Sequence, residues 1–525
     1  MRTRPDGTTV RPRSVGSEPR GSGAGLTSRT VSGLLWTAWG KGGHALLQVA
    51  VVVVLARLLR PADFGVVSAA LVVIGFSAIF SEIGLGPALV QRTELETRHL
   101  QAAFSASFLF GLVLAGIVAL GAPLLADFLR MPPVVPVLRA LAWLFPLNSL
   151  AVVPEALMRR QLRFRWLANL EVLSYGAGYG LVGTVLAMRG FGVWALVAGN
   201  FAQSLLRLIV LLIAQGRPPV GVLPEGRALR DLMYFGSGHT VARVAHYWAL
   251  QGDNLVVGRW LGPAALGLYG RAYTLMATPA ALFGEILDNV LFPVMALVQG
   301  EQQRLALAYR RGIALIALIM LPASALLCVT APEIVGVVLG PRWTGAVAAL
   351  QILGAGLLFR TSHKMSDSIA RATGAVYRRA WRQGVYAALV IGGAWVGQHW
   401  GIAGVAYAVL VALTINFLLM AQLGLRLSGL QWRSFWSAHL PALNLAVASG
   451  AAAWAVAGAL RHADLPAASV LVATLGITLG WALLLVRYAP GWFLGQEGLW
   501  MLETLRTRAP FARGSASRPM AAELR

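Results

Sequence analysis

Arg57-Leu58-Leu59-Arg60-Pro61-Ala62-Asp63-Phe64-Gly65 returns, 202 residues later, as Arg259-Trp260-Leu261-Gly262-Pro263-Ala264-Ala265-Leu266-Gly267. The shared pattern is R-x-L-x-P-A-x-x-G. At the same offset, without a gap, Lys41 falls on Arg243 and His44 on His246. In each copy an apolar helical run joins the cation and histidine to the Pro-Gly element. Two matches at one spacing, each beside a long apolar helix, point to an internal duplication. The chain therefore reads as two copies of one unit.

Composition says what kind of unit. Hydrophobic residues make up 57% of the chain and charged residues 12%, with a mean hydropathy of +0.67. Soluble domains carry roughly 25% charged residues, so the unit belongs to a membrane. Apolar runs of about 20 residues, long enough to cross a bilayer, recur throughout. Cys328 is the single cysteine, which excludes an intramolecular disulfide and a cysteine-cluster metal site. Residues 1–30 are rich in Arg, Gly, Ser and Pro, with no apolar core of a signal peptide; they read as a disordered basic tail.

Fourteen spans are expected, near 31–56, 64–90, 99–126, 134–158, 166–188, 190–214, 232–258, 264–296, 307–331, 345–370, 382–398, 401–425, 435–459 and 467–488. The fold class is all-α integral membrane, with two six-helix pseudo-symmetric lobes, 31–214 and 232–425. Two further helices follow over 435–488, and a cytoplasmic tail over 489–525. Alternate loops hold the clusters Arg159, Arg160, Arg163, Arg165 and Arg371, Arg378, Arg379, Arg382. Cytoplasmic loops carry the excess of Lys and Arg. This side is therefore inside, with both termini, and the net charge of +23 reflects topology anchors rather than nucleic-acid binding. With six spans per copy, the repeats are parallel, related by an axis along the membrane normal.

Ionisable residues at membrane depth cost on the order of 2.5–3.5 kcal/mol and usually face protein or a water-filled cavity. Lys41 and His44 fall mid-way along the first span, Arg243 and His246 mid-way along the seventh. They have two readings: facing each other across a central cavity, or pairing locally within each lobe. Arg360, Lys364, Asp367 and Arg371 share one face of the tenth span, with His363 beside them. Arg360 and Lys364 are expected to line a cavity; the alternative is a structural Lys364–Asp367 pair. Glu82, Asp253, Glu285, Asp288 and Asp367 are candidates for ion coupling, or counter-ions of nearby arginines. Arg271 is open to either reading. The chain has no Walker A, no His-Glu-x-x-His and no carboxylate pair in an aqueous loop. It is read as a non-enzyme without metal or cofactor.

The stretch Leu55 to Gly65, followed by Glu82-Ile83-Gly84-Leu85-Gly86-Pro87-Ala88-Leu89-Val90-Gln91-Arg92, resembles the opening of the Wzx/WzxC-type polysaccharide exporters. Phe191-Gly192-Val193-Trp194-Ala195-Leu196-Val197 does so too, as do Asp253-Asn254 and Gly267-Leu268-Tyr269-Gly270-Arg271-Ala272-Tyr273. The resemblance covers about residues 30–430. These exporters are a branch of the multidrug/oligosaccharidyl-lipid/polysaccharide superfamily. The resemblance implies two lobes around a central cavity, alternating access, and a place in the bacterial inner membrane. It also implies export of lipid-linked oligosaccharide for surface polysaccharide (lipopolysaccharide or exopolysaccharide), with membrane lipid and other polysaccharide-assembly proteins as partners. A polyprenyl-pyrophosphate-linked sugar is anionic beside its lipid, which suits a cavity holding Lys41, Arg243, Arg360 and Lys364. A cation-coupled drug exporter or a lipid II flippase of the same superfamily remains open. A glycan polymerase or ligase fits less well, because no large extracytoplasmic loop is present.

Overall fold

The computed structural model describes residues 43–81, 86, 89, 96–215 and 240–508. The described residues are helical almost throughout and include no strand. In chain order the helical spans are α1 (Gly43–Leu58), α2 (Pro61–Ser81), α3 (Thr97–Leu129), α4 (Val134–Arg160), α5 (Phe164–Met188), α6 (Val193–Gln215), α7 (Thr240–Val256), α8 (Gly262–Leu297), α9 (Gln302–Leu339), α10 (Pro341–Ala372), α11 (Val376–Gly397), α12 (Gly401–Ser428), α13 (Trp432–His462), α14 (Ala467–Tyr488) and α15 (Gly495–Arg508). Among the described residues ten stretches are long and apolar enough to cross a membrane. One of these holds both α11 and α12, and the other expected positions are occupied by α1, α7 and α8. Lys41, Glu82 and residues 1–30 lie outside the described residues.

Several spans are less regular than their apolar periodicity suggests. The fourth is two helices joined at Trp143, and the tenth opens with a 3-10 turn and breaks at Gly356. The fifth contains a π-helical segment, Gly176–Gly183. There the backbone of α5 touches α6: a Cβ at Gly178 would run into the Gly199 carbonyl and Gln203. Hydropathy does not register the π-helical segment, which lies where another helix approaches. Within the expected C-terminal tail, Gly495–Arg508 forms α15.

The two halves of the chain meet along α2 and α8. Phe64, Val67 and Ala70 of α2 are buried with Leu266, Tyr269 and Met276 of α8. The duplicated Pro-Gly element makes this contact. A Cβ at Gly65 would overlap the Pro263 carbonyl, and one at Gly267 would overlap the Pro61 carbonyl. Each glycine is thus required by the other copy's proline. The first residue of each element also crosses over. Arg57 donates to the Val337 carbonyl at the end of α9 (2.8 Å), and Arg259 to the Asp127 carbonyl at the end of α3 (3.3 Å). Both acceptors belong to helix C-terminal turns, where carbonyls lack intrahelical partners and the dipole favours a cation. Trp343, fully buried, donates its indole N–H to the Ala56 carbonyl (2.8 Å) and stacks edge-on against Phe64.

The last helices attach to the second half. α13 packs along α9, fastened by Arg461, which grips Glu333 through two hydrogen bonds of 2.7 and 2.8 Å and also caps the Val329 carbonyl. α14 leaves Val472, Leu479 and Leu483 more than half exposed, as a helix facing lipid should. α15 returns to the start of α9, where Glu497 pairs with Arg310 and Arg311 and Arg311 stacks on Trp500. A cavity of about 280 Å³ lies between α9, α13 and α15.

Candidate functional site: cations where the halves meet

Two arginines stand inside the bundle: Arg271 on α8, where the halves meet, and Arg360 on α10 within the second half. Arg271 projects from α8 toward the first half, its guanidinium 4.8 Å from the Phe64 ring. Tyr175 and Tyr179 of α5 lie within its electrostatic reach. Its Nε has no hydrogen-bond partner. The tyrosine rings lie tilted against one another at 5.2 Å, and His44 of α1 meets Tyr175 edge-on at 5.3 Å. The His44 Nε2 is likewise buried and unpartnered. A cation, an imidazole and three aromatic faces from α1, α2, α5 and α8 therefore surround one place.

Arg360 stands on α10 with its guanidinium 4.8 Å over the Tyr273 ring. Tyr386 of α11 and Asp253 of α7 complete its surroundings. Asp253 is 1% exposed. Its carboxylate accepts hydrogen bonds from the Tyr269 hydroxyl (2.6 Å) and the Asn254 backbone N–H (2.9 Å). Asn254 donates to Gln251 and keeps its own side-chain oxygen unpartnered. Tyr269 and Tyr273, one turn apart on α8, bracket Arg271, so α8 presents tyrosines to one half and the arginine to the other.

The ionic stripe of α10 continues from Arg360. Lys364 lies across Gly284 of α8, whose missing side chain makes room for the ammonium. Asp367 pairs with Arg371 at 3.2 Å and with Arg379. His246 joins this end, with Arg360, Asp367 and Arg379 as its charged neighbours. The two histidines that coincide in the duplication thus have unlike surroundings: one against a tyrosine, the other, exposed, beside an ion cluster. Arg243 lies on α7, and Glu285 and Asp288 on α8; their side chains, like Lys41 and Glu82, fall outside the described set.

Sequence reasoning left Arg271 undecided and passed over the tyrosines. A signal was present: tyrosines repeat at one helical turn in Tyr175-x-x-x-Tyr179 and in Tyr269-Gly270-Arg271-Ala272-Tyr273, the second pair flanking a basic residue in an apolar run. Among the described residues no group of three or more His, Cys, Asp or Glu is arranged to hold a metal ion.

Known proteins resemble this chain in sequence and in fold. The chain is 30% identical over 321 residues to the succinoglycan biosynthesis transport protein ExoT of Rhizobium meliloti, a match covering 61% of this chain and 64% of that one. It is 26% identical over 407 residues to the lipopolysaccharide biosynthesis protein WzxC of Escherichia coli, covering 75% and 80%. Among solved structures, a lipid II flippase MurJ in an inward closed conformation superposes with a TM-score of 0.71 at 12% identity, covering 86% of this chain and 99% of that one. An inward-facing multidrug resistance MATE family transporter of the MOP superfamily gives 0.58 at 18% identity, covering 74% and 95%. These likenesses establish a shared transporter fold. Residues 54–348 match the family model described as polysaccharide biosynthesis protein, and the chain belongs to that family.

Proposed function

We propose that this protein is a flippase of surface-polysaccharide assembly. It carries polyprenyl-pyrophosphate-linked oligosaccharide from the cytoplasmic to the outer leaflet of a bacterial inner membrane by alternating access. The observation that carries the reading is two arginines held inside the bundle against aromatic rings from opposite sides of α8: Arg271 where the halves meet and Arg360 behind it in the second half. A guanidinium binds phosphate oxygens through paired N–H donors, and away from bulk water each contact strengthens. Tyr175, Tyr179, Tyr273 and Phe64 offer faces and hydroxyls to sugar rings.

Lys41, His44, Arg243, His246 and Lys364 belong to the same proposed set, with the isoprenoid tail left in lipid. Asp253, buried beside Arg360, is the proposed coupling group; Glu82, Glu285, Asp288 and Asp367 are the other candidates. The names of ExoT and WzxC, both assigned to polysaccharide biosynthesis, support the substrate class. Transport without covalent chemistry follows from the same reading, as does a place among the other polysaccharide-assembly proteins of the inner membrane.

The test is lipid-linked oligosaccharide left on the cytoplasmic side in cells carrying Arg271→Ala, Arg360→Ala or both. Each single substitution is expected to lower transport roughly 10–100-fold, the worth of a charge-assisted contact. The lysine replacements should retain more. A double variant that reaches the membrane folded and exports at the wild-type rate would overturn the reading.

A further inference from the structure

Arg382, on α11, is 4% exposed, yet its charge faces no carboxylate among the described residues. Its Nε–H donates to the Leu419 carbonyl of α12 (3.0 Å), and its other nitrogens to the Arg378 carbonyl and, at 3.5 Å, to the Gln422 side chain. All three acceptors are neutral. The charged groups that act on it are two more cations, Arg378 one turn earlier and Arg426 one turn beyond Gln422, both exposed. Trp381, half exposed, lies 4.5 Å from the guanidinium. Tryptophan is enriched at the headgroup level of a membrane. Buried charge without a counter-charge is costly, and three guanidiniums at one place ask for an anion.

The same seam holds an apolar groove. Leu389, Gly393 and Val396 of α11 and Gly404, Ala408 and Ile415 of α12 line a space of about 680 Å³, with Gly393 packed directly on Ala408. Arg378, Arg382, Leu389, Gly393 and Val396 recur at helical spacing on one stripe of α11. Arg426, Gln422, Leu419, Ile415, Ala408 and Gly404 do so on α12. The arginines and the groove are therefore in line. At 1.5 Å per residue, Arg382 to Val396 spans about 21 Å. The helices touch along the floor of the groove, Gly393 on Ala408 and Gly397 on Gly404.

We propose that the seam between α11 and α12 binds an anionic phospholipid of the inner leaflet. Arg378, Arg382 and Arg426 hold its phosphate, and one acyl chain lies in the groove. The arginines stand at the end that the distribution of basic loops assigns to the cytoplasm. A phospholipid whose phosphate sits on the arginines brings an acyl chain onto this groove, apart from the proposed transport site, so this is a resident lipid rather than the transported one. None of these residues belongs to the proposed transport site, so either reading can fail alone.

The experiment is thermal unfolding of the detergent-purified protein titrated with phosphatidylglycerol, phosphatidylcholine or inorganic phosphate, with bound lipid counted by native mass spectrometry. Phosphatidylglycerol is expected to raise the Tm and remain bound, and the other two to do neither. Arg378→Gln with Arg426→Gln should weaken phosphatidylglycerol about tenfold or more. Gly392→Leu should displace it by filling the groove, since a Cβ at Gly392 meets nothing within 4 Å. Equal effects of the two lipids, or wild-type retention of phosphatidylglycerol in the arginine double variant or in Gly392→Leu, would overturn the proposal. A Tm rise with inorganic phosphate alone would mark a free-anion site instead and overturn the lipid assignment.

Discussion

Gly65 lies against the backbone carbonyl of Pro263, and Gly267 lies against the carbonyl of Pro61. Each copy of the nine-residue element is thus the receptor for the other. Arg57 and Arg259 repeat the exchange by capping α9 and α3 across the interface. Under the proposed alternating access the halves part and rejoin, and the two glycine contacts and two arginine caps between them would form and break together.

A methyl group at either glycine keeps the halves apart. Gly65→Ala and Gly267→Ala are each expected to cost about 1–3 kcal/mol in the closed arrangement, the scale of local overpacking. Both should depress polysaccharide export while the protein still inserts. Export by the double variant at the wild-type rate would show that this end need not close.

Removing the arginine caps should act more gently. Arg57→Gln and Arg259→Gln each lose one cross-half hydrogen bond, worth about 1 kcal/mol. Export by the double variant should fall further than by either single variant. No change on combining them would mean that the two caps do not share the load.

Glu333 is almost fully buried and both its oxygens are held by Arg461, which is itself 39% exposed. Glu333→Gln replaces a two-point ion pair with a neutral contact and should lower stability by about 2 kcal/mol, discounted for the solvated arginine. A lower Tm with α13 and α14 more readily proteolysed at 463–466 is the expected result. An unchanged Tm would show that apolar packing alone holds α13 to α9.

Glu497 is the shared partner of Arg310 and Arg311. Glu497→Ala leaves two adjacent cations facing each other beneath α15 and should release that helix. Tryptic cleavage after Arg506 and Arg508 is then expected to accelerate, with export little changed. Protection equal to wild type would assign the docking of α15 to Trp500 on Arg311.

Orientation is tested with thiols. In a Cys328→Ser background, Leu465→Cys between α13 and α14 should react with an impermeant reagent added to intact cells. Gln161→Cys between α4 and α5 should not. The reverse pattern would invert the membrane orientation.

Much of this was legible in the chain. Apolar runs of bilayer length mark spans because backbone polar groups in lipid must be satisfied within a helix. Arginine clusters in alternate loops set an expected orientation, and the doubled Pro-Gly element exposed two related units. The stripe from Arg360 to Arg371 was visible from helical spacing. The lobe boundaries and the membrane orientation remain the sequence's own propositions.

What the sequence determined by itself is whatever one helix needs: its length, its breaks, and which residues share a face. Only the tertiary structure decided which neighbour each face meets. It turned Arg271 toward Tyr175 and Phe64, gave His44 and His246 different surroundings, and placed a π-helical segment where α5 touches α6. It also joined Gly65 to Pro263. The physical reason is range. Periodicity and propensity act within a few turns of one helix, whereas these contacts join residues far apart in the chain and arise only when helices from different parts of it pack together.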